Sequence, residues 1–149
     1  MTVYLVVKFV HVLVAILAIG NSAGSSLWLR LAMRDPEHLL FALRTTKVLD
    51  EYVTRPGLFL LLLTGLWMAA TRWSLGLFWV RGAVIIVLVV VALLYAVVGP
   101  TIGRLLRAVQ AEGLFSPESR RLERTFELIG GGAGLSLVVV VWLMVMKPS

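Results

Sequence analysis

Residues 82–99 read GAVIIVLVVVALLYAVVG, eighteen residues without a charged side chain. As a helix rising about 1.5 Å per residue they extend roughly 27 Å, close to the ~30 Å of hydrocarbon in a bilayer. The run is rich in valine and isoleucine, which in water would point to a strand. In lipid the backbone finds no hydrogen-bond partner outside its own segment, so the same run reads as a transmembrane helix. Three further apolar stretches flank it, at about 3–29, 53–70 and 128–146. Together the four spans and their connections use all 149 residues, which gives a single transmembrane domain, 1–149, with no length left for a separate soluble domain. The expected fold is all-α, an integral membrane four-helix bundle.

Composition agrees with this reading. With 60% hydrophobic and 15% charged residues and a mean hydropathy of +0.96, the chain is more apolar than a soluble domain of its length can conceal. Cysteine is absent, which excludes disulfide frameworks, thiolate catalysis and cysteine-ligated zinc or iron-sulfur centres. A net charge of +6 would suggest nucleic acid in a soluble protein. Here the basic residues flank apolar spans, where topology explains them, so the expected partner is the lipid bilayer and not nucleic acid. No basic residue precedes the first apolar run, and that run continues past the small residues Ala18 to Gly20, so it reads as a retained span and not a cleaved signal.

Orientation follows from the distribution of lysine and arginine. The first connection carries Arg30, Arg34, Arg44, Lys47 and Arg55, and the third carries Arg104, Arg107, Arg120, Arg121 and Arg124. The second connection and the two ends carry only Arg72, Arg81, Lys8 and Lys147. Ten against four places two basic loops in the cytoplasm and both termini outside. Tyr4, Trp67, Trp73, Trp79 and Trp142 would then lie near the outer interface. In both inner loops an Asp or Ser, a proline and a glutamate follow one another, Asp35-Pro36-Glu37 and Ser116-Pro117-Glu118, the pattern of a helix start. Each predicts a short helix feeding the next span. Ile102, Leu105, Leu106 and Val109 recur with helical spacing, which predicts an amphipathic extension of the third span along the inner surface. The twofold order of span, basic helix and span hints at two parallel hairpin repeats.

Ionisable groups inside a span are costly, which makes Lys8 and His11 the candidate site residues. Helical spacing puts Tyr4, Lys8, His11, Ala15, Ala18, Ser22 and Ser25 on one face of the first helix, a seam expected to look into the bundle. His11 lies roughly 12 Å below the start of its span. Two readings of it stand side by side: a ligand to metal or haem iron, and an interhelical hydrogen-bond group needing no cofactor. Lys8 either pairs with a propionate or carries its ammonium to the surface on its long stem. Met68, Met144 and Met146 share the level of His11, so a His/Met iron site is geometrically available, as is plain packing. His38 falls on the opposite side of the membrane, which argues against a bis-histidine haem within one subunit. There is no phosphate-binding loop, nucleophile elbow or His-Glu-x-x-His helix. The pairs Gly20/Gly24, Gly99/Gly103 and Gly130/Gly134 are spaced for close helix approach, read as packing within the bundle and as faces for a homo-oligomer or larger membrane complex. The Gly130-Gly131-Gly132 run is a place where the fourth helix could bend.

Lys8-x-x-His11 followed by Gly20-Asn21, Arg55-Pro56-Gly57 leading to Leu63-Thr64-Gly65-Leu66-Trp67, and the closing Met144-Val145-Met146-Lys147-Pro148 run nearly the length of the chain. In these marks the chain resembles domain-of-unknown-function family 2269, predicted bacterial integral membrane proteins without an established activity. That resemblance implies a multi-pass protein of the bacterial cytoplasmic (inner) membrane. Around Lys8-x-x-His11 the chain is also distantly similar to membrane-type protoporphyrinogen oxidase and to the copper-resistance protein D group. This similarity implies a haem or metal role for His11, with haem b as cofactor, while residues 82–99 lack the lysine that the oxidase family carries in its third span. The alternative expectation is a non-catalytic membrane subunit or scaffold without cofactor.

Overall fold

The computed structural model describes residues 2–34, 36–72, 74, 76–113 and 116–147, and no strand occurs among them. Six α-helices follow one another: α1 (Thr2–Ala32), α2 (Pro36–Leu49), α3 (Arg55–Arg72), α4 (Phe78–Leu93), α5 (Gly99–Glu112) and α6 (Pro117–Met146). A π-helical turn, Asp50–Thr54, joins α2 to α3 without a break, and a second, Leu94–Val98, joins α4 to α5. The described residues therefore form four rods, each long and apolar enough to cross a membrane. The rods run antiparallel in sequence, and each packs on the next, with α6 closing back against α1. One end of the bundle, here the terminal end, carries Thr2, Arg72, Phe78 and Met146. The other, the hairpin end, carries the α1–α2 and α5–α6 connections.

The rods contain 30 to 36 residues, which at about 1.5 Å per residue is ~45–54 Å. That exceeds the ~30 Å of hydrocarbon, so the rods project beyond the lipid. The charged residues of the hairpin end occupy this excess. There Arg30 Nε donates to Glu127 Oε1 at 3.0 Å, an exposed arginine on a half-buried glutamate, a link that contributes little by itself.

The sequence put the start of the second apolar span near residue 53. The helix in fact runs through that point, and the reason lies in the prolines. Pro56 and Pro100 each stand two residues after a π turn. A proline inside an α-helix lacks an N–H and its ring collides with the carbonyl four residues back. For Pro56 and Pro100 those carbonyls belong to Tyr52 and Ala96, both inside the π turns. The wider turn moves the carbonyl aside, so each rod continues where a regular helix would kink.

The helix starts anticipated after the two inner connections are both present, at Pro36 and Pro117. Ser116 Oγ accepts from Ser119 N at 3.1 Å, the N-cap that the sequence indicated. Asp35, its counterpart, lies outside the described residues, as do Trp73 and Pro148. The hinted repeat stops there: the π turn of the second rod has no equivalent in the fourth, because α6 runs unbroken through Gly130-Gly131-Gly132. The amphipathic face of α5 also differs from expectation. Ile102 and Leu105 are buried in the core, with Leu106 and Val109 packed against it. This face meets α2 and α6 instead of lying on the membrane surface.

Two apolar clusters hold the bundle. The larger draws on every rod, from Ala18 through Leu43, Leu58 and Leu94 to Leu137. The smaller, at the terminal end, contains Ala69, Trp79, Val80, Ala83, Val87, Val140 and Leu143, from α3, α4 and α6 only. Trp79 stands in the first turn of α4, at the terminal end, with its side chain in this core. Nothing from the first half of α1 joins this cluster, since the buried residues of α1 are Ala18, Leu29 and Ala32.

Arg55, counted from sequence among the loop cations, is instead folded into the bundle. Its Nε donates to Asp50 Oδ2 at 2.8 Å, and its guanidinium lies 5.1 Å from the centre of the Tyr95 ring. A Cβ added at Gly99 would collide with that guanidinium. Of the spaced pairs only Gly99 makes a close approach: Gly20, Gly24, Gly103, Gly130 and Gly134 face open space, whereas Gly57, outside any such pair, also meets a neighbour. Gly99→Ala is accordingly expected to lower stability by about 1–3 kcal/mol by dislodging Arg55. Gly103→Ala should leave stability unchanged or raise it, with thermal unfolding in detergent as the measurement.

Candidate ligand-binding cavity

Because the first half of α1 stands apart from the terminal-end core, a cavity of about 590 Å³ remains between them. Its walls are mainly apolar, from residues such as Leu61, Leu62, Val84, Val87 and Val140. The residues singled out from the sequence converge on it: Lys8, His11, Met68 and Met144 all line this one space. Met146 does not, being exposed on the lipid-facing side. His38 lies on α2, toward the hairpin end.

The imidazole is positioned by α3. His11 Nδ1 lies 2.8 Å from Thr64 Oγ1, and that hydroxyl is 2.7 Å from the Leu60 carbonyl. Thr64 has one proton and the Leu60 carbonyl can only accept, so a hydroxyl that donates to Leu60 accepts from His11. That arrangement corresponds to the Nδ1–H tautomer, which leaves the Nε2 lone pair for another partner. Gly65 makes the fit possible, since a Cβ there would stand 3.1 Å from His11 Cε1. The interhelical hydrogen bond and the availability of Nε2 are thus one arrangement: a ring nitrogen held by a second group is how ligating histidines are oriented.

At its mouth the cavity carries positive charge. Lys8, Arg72 and Lys147 line it together with Tyr4, and the described lining contains no acidic side chain. Arg72 stands 4.9 Å from the centre of the Tyr4 ring, and Tyr4 stacks on Trp67 with ring centres 6.4 Å apart. Lys8 itself is exposed, in keeping with a stem that follows the helix and a head at the surface. Among the described residues no group of three or more His, Cys, Asp or Glu could hold a metal ion. A lone imidazole holds a metal firmly only when the remaining ligands arrive with it, as they do in a porphyrin.

Thr64, Gly65 and Arg72 were not among the candidate site residues read from the sequence. The signal that could have found Thr64 is its isolation: it is the one polar side chain between Leu58 and Ala70.

The rods and the cavity define a four-helix integral membrane protein with a hollow at its terminal end. The family model described as "Predicted integral membrane protein (DUF2269)" matches residues 5–148, and the chain belongs to that family. No curated protein and no solved structure matches the chain.

The hydrogen-bond assignment has a spectroscopic consequence. With ¹⁵N-labelled histidine at neutral pH, His11 should show protonated Nδ1 and unprotonated Nε2 shifts. In Thr64→Val that tautomer bias should be lost. An Nε2–H ring in the wild-type chain would contradict the assignment.

Proposed function

We propose that the chain is a ligand-binding membrane protein whose terminal-end cavity takes a flat, apolar molecule with an anionic edge, and that this molecule is haem b. The reading is carried by one observation: an imidazole with its Nδ1 held by the Thr64 hydroxyl lines an apolar cavity with basic side chains at its mouth. The volume of about 590 Å³ is within the range of small-molecule sites. His11 Nε2 is the donor for iron, Thr64 fixes the ring, and Lys8 and Arg72 are the partners for propionates. Met68 and Met144 supply sulfur donors from α3 and α6. Bound haem would supply reversible one-electron chemistry. The surrounding valines and leucines would keep water from it and favour the less charged state. By the distribution of basic residues, the cavity opens on the outer side of the inner membrane.

A second reading is a cofactor-free subunit of a larger assembly. Its support is that Gly20 and Gly24 face open space on α1, so this small face is not consumed within the bundle.

The test is an oxidised and dithionite-reduced visible spectrum of protein purified from haem-replete cells. A stoichiometric Soret band is expected in the wild-type chain, lost in His11→Ala, with haem affinity about 10-fold weaker in Thr64→Val. Met146→Leu should leave the spectrum unchanged. A featureless spectrum in the wild-type chain would overturn the haem reading and favour the subunit, whose signature is co-purifying protein.

A further inference from the structure

A second polar region lies nearer the hairpin end, where residues of both π turns line one space. Asp50 and Arg55 form their ion pair there, and Asn21 Nδ2 donates to Thr54 Oγ1 at 2.8 Å. Beside them is a separate cavity of about 30 Å³, touched by all four rods and lined by Ser22, Ser25, Thr46, Asp50, Thr54 and Phe126 among others. Thr46 is 3% exposed, yet its Oγ1 has no hydrogen-bond partner among the described residues.

This orphan is informative because the chain shows the ordinary solution elsewhere. Ser26, Thr64, Thr71, Thr125 and Ser136 each donate to the carbonyl four residues back, at 2.7 to 3.3 Å. Thr46 does not use the Ala42 carbonyl in this way. A buried hydroxyl without a partner is destabilising unless something in the cavity completes it. We infer that this cavity is an internal water site, in which water joins the Thr46 hydroxyl to the Asp50 carboxylate and the serines of α1.

Size and charge both select the occupant. A water needs roughly 10–15 Å³ of such volume, so the space takes one or two. A monovalent cation would meet a carboxylate already neutralised by Arg55, leaving a net buried charge. Water adds donors and acceptors without that penalty. It also solvates Asp50 from within, so the Asp50–Arg55 ion pair, which sets the guanidinium against Tyr95 of the third rod, is an exchangeable polar contact and not a dry one.

The experiment is radiolytic hydroxyl labelling of the full chain in lipid nanodiscs, in ¹⁸O-water, read at Phe126. That ring lines the cavity and is 6% exposed, too buried for bulk solvent to label it efficiently. The wild-type chain should label Phe126 with ¹⁸O. Thr46→Val should cut the labelling at least threefold without raising the melting temperature, and Thr46→Ser should retain it. An unlabelled Phe126, equal labelling in Thr46→Val, or a higher melting temperature in that variant would each overturn the proposal. So would a change in labelling or melting temperature when choline replaces sodium, which would mark a cation as the occupant.

Discussion

The register between α1 and α3 is the constraint on which the terminal half of the molecule depends. Three contacts define it: His11 with Thr64, Ala18 with Gly57, and Asn21 with Thr54. The steps match along the two antiparallel helices, seven residues from His11 to Ala18 and from Thr64 back to Gly57, then three to Asn21 and to Thr54. A membrane hydrogen bond between helices contributes on average only about 0.6 kcal/mol, so the two polar contacts do not hold the helices together. Close approach at Gly57 supplies the packing, and the hydrogen bonds choose the register. A slip by one turn would set His11 against Leu60 and Leu61 or against Trp67 and Met68, without the Thr64 hydroxyl.

That register also explains why there is a cavity. α1 is fastened to α3 from His11 downward, while the terminal-end core is completed by α3, α4 and α6. The hollow is the space that this division leaves, and the side chains of α1 that enter it are Tyr4, Leu5, Lys8, His11 and Val12. Further toward the hairpin end the two π turns perform a related task for the second and third rods. They let Pro56 and Pro100 sit inside continuous helices and bring Arg55 against Tyr95 and Gly99. Two features that look like local irregularities in the sequence, a proline and a charge within a few residues, are joined by one backbone adjustment.

Much of this was legible in the sequence because the bilayer makes a simple demand. The lengths of apolar runs gave the four rods, and helical spacing gave the polar seam of α1, where Ala18 is buried and His11, Ala15, Ser22 and Ser25 are half-buried. What was not legible depends on pairing between distant residues. Arg55 reads as a loop cation until Asp50 and Tyr95 are placed around it. Gly57 and Gly65 belong to no spaced glycine pair, yet they meet α1, whereas the spaced pair Gly20 and Gly24 faces open space. The convergence of Lys8, His11, Met68 and Met144 on one cavity required knowing which faces of three helices look at each other.

Disulfide cross-linking tests the α1–α3 register most directly, because the chain has no cysteine of its own. A Cβ at Gly57 would lie 3.0 Å from that of Ala18, within about half an ångström of disulfide spacing. Ala18→Cys with Gly57→Cys should form an intramolecular disulfide rapidly under mild oxidation in native membranes, while Gly20→Cys with Gly57→Cys should not. Failure of the first pair together with efficient cross-linking of the second would contradict the register, and with it the placement of His11 against Thr64.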